Sequence, residues 1–570
     1  MTSTVTPLVF HGPIIHSRSL EALEILENAT LVIDASGTIT AFKKSEDDDT
    51  PIPAVPEGAR VHHLGPGEFL IPGFVDTHNH APQWPMRGIG QGLHILDWLD
   101  QSFGTHTLVM TSAVTPLVFH GPIIHSRNLE ELEILENATL VIDASGTITA
   151  LKKSEADDTP TPAVPEGARV HHLGPGEFLI PGFIDTHNHA PQWPMRGIGQ
   201  GLHILDWLDQ VTFPFEARFA DAAYARATYE DTVADFLRQG ITTASYYSSR
   251  HAEATRILAD ICVEKGQRAL VGKCNMDRNA PAYLAEPSAA VSLQETRDCI
   301  AHIRALPGCG DPEHALVRPV LTPRFAICCT AELLTGLGDM MRADASLPMQ
   351  THFNEAQQEV DATRALFPDL AARSEADLYE RFGLLGPRSI LAHCTVMTDY
   401  DKERLLALGC GVAHCPIANM TVGGGFMVAP VRDLLRRGVK VGLGTDSGGG
   451  WASQMLAVMR QAVIASNARE VMDAADKALT LDEVFYLATL GGARVLCLEH
   501  EVGSFAVGKQ FDASWVATTS GLRSAMTPRQ ADDGLRRIFE KFVMTGDDRN
   551  MAHVYVRGRR VAGARHGEAS

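Results

Sequence analysis

The chain has 570 residues, 49 basic and 69 acidic side chains with a formal charge of −20, and 45% hydrophobic residues. That size can bury more than one core, and an acidic balance without a Lys/Arg run excludes nucleic acid as an expected partner, because neutralising phosphates needs clustered positive charge. No window approaches the roughly 18 uninterrupted apolar residues of a membrane span, and the N-terminus lacks a basic region followed by an apolar core, so no membrane partner is expected and the chain reads as cytoplasmic.

Residues 1–101 recur at 110–210, an offset of 109, with seven differences: Thr4/Ala113, Ser19/Asn128, Ala22/Glu131, Phe42/Leu151, Asp47/Ala156, Ile52/Thr161 and Val75/Ile184. Two long copies do not make a solenoid, in which many shorter units stack. Both copies begin Met-Thr-Ser, but Gln101 runs into an unrelated joint, Ser102 to Val109, whereas Gln210 continues smoothly into Val211-Thr-Phe-Pro. Residues 110–570 therefore read as one complete protein, and 1–109 as a surplus near-identical copy of its N-terminal segment plus the joint. Either the long chain carries that appendage, or the natural product starts at Met110.

Within the 110–570 unit, Thr139-Leu-Val-Ile-Asp, the turn Ala-Ser-Gly and Thr147-Ile-Thr-Ala-Leu predict a hairpin. From Phe178 onward short apolar strands alternate with amphipathic helical stretches. Eight strands are expected at Phe178–Ile184, Thr242–Ser245, Ala269–Gly272, Leu316–Leu321, Pro348–His352, Ser389–His393, Gly411–His414 and Val439–Leu443. This is the α/β pattern of a (β/α)8 TIM-type barrel, assigned to 179–504. After about residue 500 strands return, at Ala513-Ser-Trp-Val-Ala and at Val554-Tyr-Val-Arg with Arg560-Val-Ala. The two ends, 110–178 and 505–565, are expected to pair into a small composite β-sandwich.

A barrel places its functional side chains at the C-terminal ends of its strands. His187 and His189 follow the first expected strand at i and i+2, a spacing that turns both imidazoles to one face of an extended segment. His352 ends another strand, with Glu355 three residues on, and His393 and Asp446 end two more. Three imidazoles and a carboxylate match a catalytic Zn²⁺ with an open water position, leaving His393 and Glu355 for proton handling. Any one of these taken singly also fits a core histidine; together at strand ends they do not.

This order of HxH, HxxE, H and D resembles the amidohydrolase superfamily across the whole 110–570 unit. Within it the sequence is similar to the guanine deaminase family through His189-Ala-Pro-Gln192, Leu205-Asp-Trp-Leu, Phe213-Pro-Phe-Glu, Gly272-Lys-Cys-Asn-Met-Asp, Thr322-Pro-Arg324-Phe325, His352-Phe-Asn-Glu355 and Ala413-His-Cys-Pro-Ile-Ala-Asn. The resemblance implies one zinc ion per site, held by His187, His189, His352 and Asp446, and hydrolysis of guanine to xanthine and ammonia. His393 would then hold the nucleophilic hydroxide, Asp446 would take its proton, and Glu355 would shuttle protons to ring N3 and to the departing amine. Gln192 and Arg324 would hold the purine, and Phe325 would pack on its ring. A homodimer is also implied.

Other signals are weaker. His251-Ala-Glu253 lacks the PCxxC partner of the other zinc deaminase class and reads as a surface helix charge. Lys273 near a strand end reads as structural rather than as a carboxylated bridge between two metals. Gly197-Ile-Gly-Gln-Gly201 and Gly423-Gly-Gly425 fit no phosphate-loop spacing and read as barrel-mouth loops. The ten cysteines contain no CxxC, so free thiols are expected, and the adjacent Cys328 and Cys329 read as packing residues. Competing functions are a deaminase or chlorohydrolase for another aminated heterocycle, and a catalytically dead scaffold, which would be expected to lack a ligand or Glu355.

Overall fold

The computed structural model describes residues 6–19, 22–44, 54–74, 115–153, 162–370, 373–422, 427–518, 527 and 530–563. The chain divides into two compact units, Met1–Trp84 and Pro85–Ser570.

The first unit holds strands β1 (Leu8–Ser19), β2 (Ala22–Ile33), β3 (Ile39–Lys43) and β4 (Arg60–His63) in one sheet of order β3-β2-β1-β4. The second copy repeats them as β5 (Leu117–Ser126), β6 (Leu132–Ile142), β7 (Ile148–Lys152) and β8 (Arg169–His172). The register repeats as well: Leu8 faces Ile33 as Leu117 faces Ile142. Burial does not repeat. Ile39, Phe69 and Phe74 are 59%, 54% and 83% exposed, while their counterparts Ile148, Phe178 and Phe183 are fully buried. His78, His80, Gln83 and the joint lie outside the described residues.

The second copy is covered because it continues. β9 (Glu177–Pro181) pairs antiparallel with a strand near the other end of the chain, Ala513–Ala517, in the register Leu179 to Trp515. The expected strand at Phe178–Ile184 is therefore two strands. β9 belongs to the sheet of the chain ends, and β10 (Phe183–His189) opens the parallel region. The break falls at Gly182, where a Cβ would lie 2.1 Å from Thr242 Oγ1, so only glycine fits against the next strand.

Strands β11 (Ile241–Tyr247), β12 (Arg268–Gly272), β13 (Cys274–Asn275), β14 (Val317–Pro319), β15 (Thr322–Pro323), β16 (Met349–Phe353), β17 (Ser389–His393), β18 (Gly411–His414) and β19 (Lys440–Leu443) follow. They form two four-stranded parallel sheets, β10-β11-β12-β14 and β16-β17-β18-β19, with β13 paired to β15. Leu321 and Gln350 join the two sheets through backbone hydrogen bonds, and at the far side Thr186 Oγ1 donates to Leu443 O at 2.8 Å. Helices separate the strands, among them Ala222–Arg238, Ala252–Lys265, Ala289–Ala305, Ala331–Ala343 and Asp399–Leu408. Several start on side-chain caps: Asp221 accepts from Ala223 N and Tyr224 N, and Thr398 forms a capping box with Asp401. The main apolar core lies between these helices and the strands.

The chain closes with β20 (Ala513–Ala517), β21 (Met551–Val556) and β22 (Arg559–Ala562), giving an eight-stranded sheet β22-β21-β20-β9-β5-β6-β7 with β8 on β5. Phe119, Leu179, Phe511, Trp515 and Tyr555 form a second core there. The segment 505–565 is not all strand. Leu535–Thr545 is a helix whose Ile538, Phe539, Phe542 and Val543 bury into the main core, the i, i+1, i+4, i+5 face of an amphipathic helix. Arg268 ties the two regions together: its Nε donates to Asp512 Oδ2 at 2.9 Å and its Nη1 to Glu501 Oε2 at 3.2 Å. No helix of the described residues is long and apolar enough to cross a membrane, and all ten cysteines are free.

Candidate metal centre and active site

The expected ligands come together. His187 and His189 end β10, His352 lies on β16, His393 ends β17 and Asp446 lies three residues beyond β19. Donor atoms of His187, His189 and His352 lie within 4.8 Å of one another, as do those of His187, His393 and Asp446, and those of His352, Glu355 and His393. Asp446 Oδ1 is 3.2 Å from His187 Nε2 and 3.6 Å from His189 Nε2.

The hydrogen bonds around this cluster choose which ring nitrogens face it. His352 Nδ1 donates to the Arg324 carbonyl at 2.6 Å, which leaves Nε2 as a lone pair, and that lone pair faces His189 Nε2 at 3.1 Å. His393 Nδ1 meets Asn419 Oδ1 at 2.8 Å, turning Nε2 inward. His187 Nε2 and His393 Nε2 are buried there without a hydrogen-bond partner in the structure. Burial holds the His187, His189 and His352 imidazoles well below their ordinary pKa, hence neutral and able to coordinate. Converging neutral imidazole lone pairs beside a carboxylate suit a divalent metal ion and would otherwise repel one another.

Asp185, not singled out in the sequence, joins the two strands that carry most of the donors. Its carboxylate accepts from Thr445 Oγ1 at 2.6 Å and from Thr445 N at 2.9 Å, next to Asp446, and burial pushes it up to about 7. Glu355 is buried and held well above the usual carboxylate range, first by burial and then by the Asp446 charge. Its backbone N donates to Glu359 Oε2 at 3.0 Å, and burial pushes Glu359 up to about 7.

A pocket opens onto the cluster, lined by His189, His352, Glu355 and Asp446 and also by Gln192, Arg324, Phe325, Trp207 and Leu208. Every residue expected at the site is therefore brought to one place. Gln192 is carried by the 3-10 turn Ala190–Met195 directly after β10. Arg324 follows β15, and Phe325 meets the His352 ring edge-on at a centroid distance of 5.9 Å. Sequence reading quoted Glu216 and Asn419 within motifs without giving them roles. Glu216 pairs with Arg324 Nη1 at 2.6 Å, and Asn419 orients His393.

Signals set aside in the sequence stay outside the cluster. Lys273 is buried against Glu286, Glu253 is exposed, and burial pushes the Cys328 thiol up to about 12, which removes it as a nucleophile. Gly197–Gly201 lies in a turn, and Gly423–Gly425 falls outside the described residues.

Comparison with known proteins agrees with this geometry. Residues 178–561 match the Amidohydrolase family. A probable guanine deaminase of Schizosaccharomyces pombe is 41% identical over 451 residues, covering 78% of this chain and 83% of that protein. A guanine deaminase of Dictyostelium discoideum is 37% identical, covering 78% and 98%. Among solved structures, the guanine deaminase of C. acetobutylicum with guanine bound in its active site superposes with a TM-score of 0.70 at 29% identity, covering 78% of this chain and all of that one.

Proposed function

The chain belongs to the amidohydrolase family and, within it, to the guanine deaminases, and from that premise we propose how its residues deaminate guanine to xanthine and ammonia. The observation that carries the reading is the convergence of His187, His189, His352 and Asp446 with Glu355 on one cavity that Gln192 and Arg324 also line. Those four side chains would hold one Zn²⁺ per site. A bound divalent ion supplies Lewis acidity, lowering the pKa of water from about 16 toward 7.

The side chains do the rest. Asp446 takes the proton released as water oxygen bonds to C2 of guanine, and His393 Nε2 orients that water by a hydrogen bond. Glu355, whose burial favours the protonated form, gives its proton to N3. Its carboxylate then takes the remaining proton from the C2 hydroxyl and passes it to the C2 amino group; the C2–N bond breaks, C2=O forms, ammonia leaves, and the proton held by Asp446 returns to Glu355. Arg324 and Gln192 hold the purine by hydrogen bonds while Phe325 packs against its ring. The parallel strands close as a (β/α)8 barrel where β10 meets β19, the sheet of the chain ends folds into a small β-sandwich, and the enzyme works as a cytoplasmic homodimer.

The test is turnover by the zinc-loaded protein: xanthine and ammonia should appear in equal amounts from guanine, with adenine and aminotriazines poor competitors. Turnover of another aminated heterocycle in preference to guanine would overturn the assignment.

A further inference from the structure

Glu216, on the short helix Phe213–Ala217, is 1% exposed and does not line the cavity itself. It touches both residues that reach the purine. Its Oε1 accepts from Gln192 Nε2 at 2.8 Å and its Oε2 from Arg324 Nη1 at 2.6 Å. A carboxylate can only accept, so the Gln192 amide must turn its nitrogen to Glu216 and its oxygen away. That oxygen is buried and has no hydrogen-bond partner in the structure. Gly448 leaves room for it: at φ +123 a Cβ there would lie 2.2 Å from Gln192 Oε1.

We propose that Glu216 is a positioning residue that sets the hydrogen-bonding polarity of the purine pocket, fixing Gln192 as an acceptor beside Arg324 as a donor. An acceptor next to a donor complements the N1–H and C6=O of a 6-oxopurine. A purine with the same C2 amino group but an amino group at C6 offers a bare N1 to the Gln192 oxygen and an N–H to the Arg324 guanidinium, mismatched at both positions. A site built around fixed hydrogen bonds rejects such an analogue more strongly than an apolar pocket can. The inference rests on the guanine reading above and adds the element that makes it specific.

The experiment compares kcat/KM for guanine and for 2,6-diaminopurine, together with metal content, in the zinc-loaded wild type and three variants. Glu216→Gln can offer Gln192 either its N–H or its carbonyl, so the orientation of Gln192 is no longer forced. The guanine to diaminopurine ratio should fall at least about 10-fold, mainly through a higher KM for guanine, at unchanged zinc content. Glu216→Asp keeps a carboxylate and should keep most of the ratio. Gln192→Leu leaves the Glu216–Arg324 pair in place and should lower the ratio as Glu216→Gln does; an unchanged ratio in it would overturn the proposal even if Glu216→Gln does not fold. Equal losses on both substrates would mean that Glu216 only neutralises Arg324, and would overturn the proposal while leaving guanine deamination intact. A wild type inactive on guanine would instead overturn the functional reading itself.

Discussion

Glu355 Oε2 stands 3.6 Å from His393 Nε2, each delivered by one of two adjacent parallel strands in which Phe353 pairs with His393. His393 takes a positive φ of 70°, which turns the chain at the strand end where its imidazole enters the site. An acid held above its ordinary pKa beside a neutral imidazole is a proton donor with a partner to orient its acceptor. Glu355→Gln keeps the shape and removes the proton. Steady-state assay should show kcat reduced by at least about 10²-fold with zinc retained; normal turnover would remove Glu355 from the chemistry.

His352 differs from Glu355 in what its loss takes away. Its Nδ1 is committed to the Arg324 carbonyl, so Nε2 is available to a metal. His352→Ala should weaken zinc binding by about 10-fold or more, so that after dialysis against zinc buffered near the wild-type dissociation constant elemental analysis finds occupancy fallen from about one half to about a tenth or less. Full zinc occupancy would place His352 outside the ligand set.

Arg268 and Asp512 form a buried ion pair across the two regions, their side chains 2% and 1% exposed. Removing Arg268 takes away the side-chain donor to Asp512 and leaves that buried carboxylate with the Arg557 backbone N–H at 2.8 Å. Arg268→Met should lose about 3–5 kcal/mol in denaturant unfolding. A loss under about 1 kcal/mol would mean that the pair does not join the terminal sheet to the parallel strands.

Two histidines buried in neutral form make the fold sensitive to acid. His125 is held down at about 4 by burial, with the Lys153 and Lys509 charges adding to it and Glu133, to which its Nε2 donates at 3.0 Å, opposing it; its Nδ1 accepts the Phe505 N–H. His414 is held down at about 3, again by burial. Both are neutral when folded and take a proton when unfolded below about 6.5. Their stabilisation is complete above that pH and is lost as pH falls, to about 4 for His125 and about 3 for His414. The slope is about 1.4 kcal/mol per pH unit for each histidine. Because Asp185 and Glu359, pushed up to about 7, titrate in this window with the opposite sign, the readout is a difference: with a chelator present, the wild type should lose stability relative to His414→Gln as pH falls from 6.5 to 5, and a difference that does not change with pH would contradict the assignment.

What the sequence disclosed follows from how far apart the partners lie. His187 and His189 were legible because i and i+2 on a strand share a face. The alternation of strands and helices placed His352, His393 and Asp446 at strand ends. The partition at Pro181-Gly182 was not legible, since an apolar run does not say where it changes sheets, and the contact that forces the break is with Thr242. The helix Leu535–Thr545 was missed between two strand signals. Glu216, Asp185 and Asn419 act on residues 24 to 260 positions away, and a buried polar partner leaves no periodic trace. Their sequence signal was membership of motifs already recognised.

The account places catalysis in the second copy. It alone runs on into the parallel strands that carry His352 and His393, and its Phe178 and Phe183 are buried where Phe69 and Phe74 of the first copy are exposed. The direct test is to purify the full chain and a chain starting at Met110, load both with zinc and measure xanthine formation from guanine side by side. The short chain should match or exceed the long one in kcat/KM. Activity confined to the long chain, or absent from both with metal bound, would contradict the account.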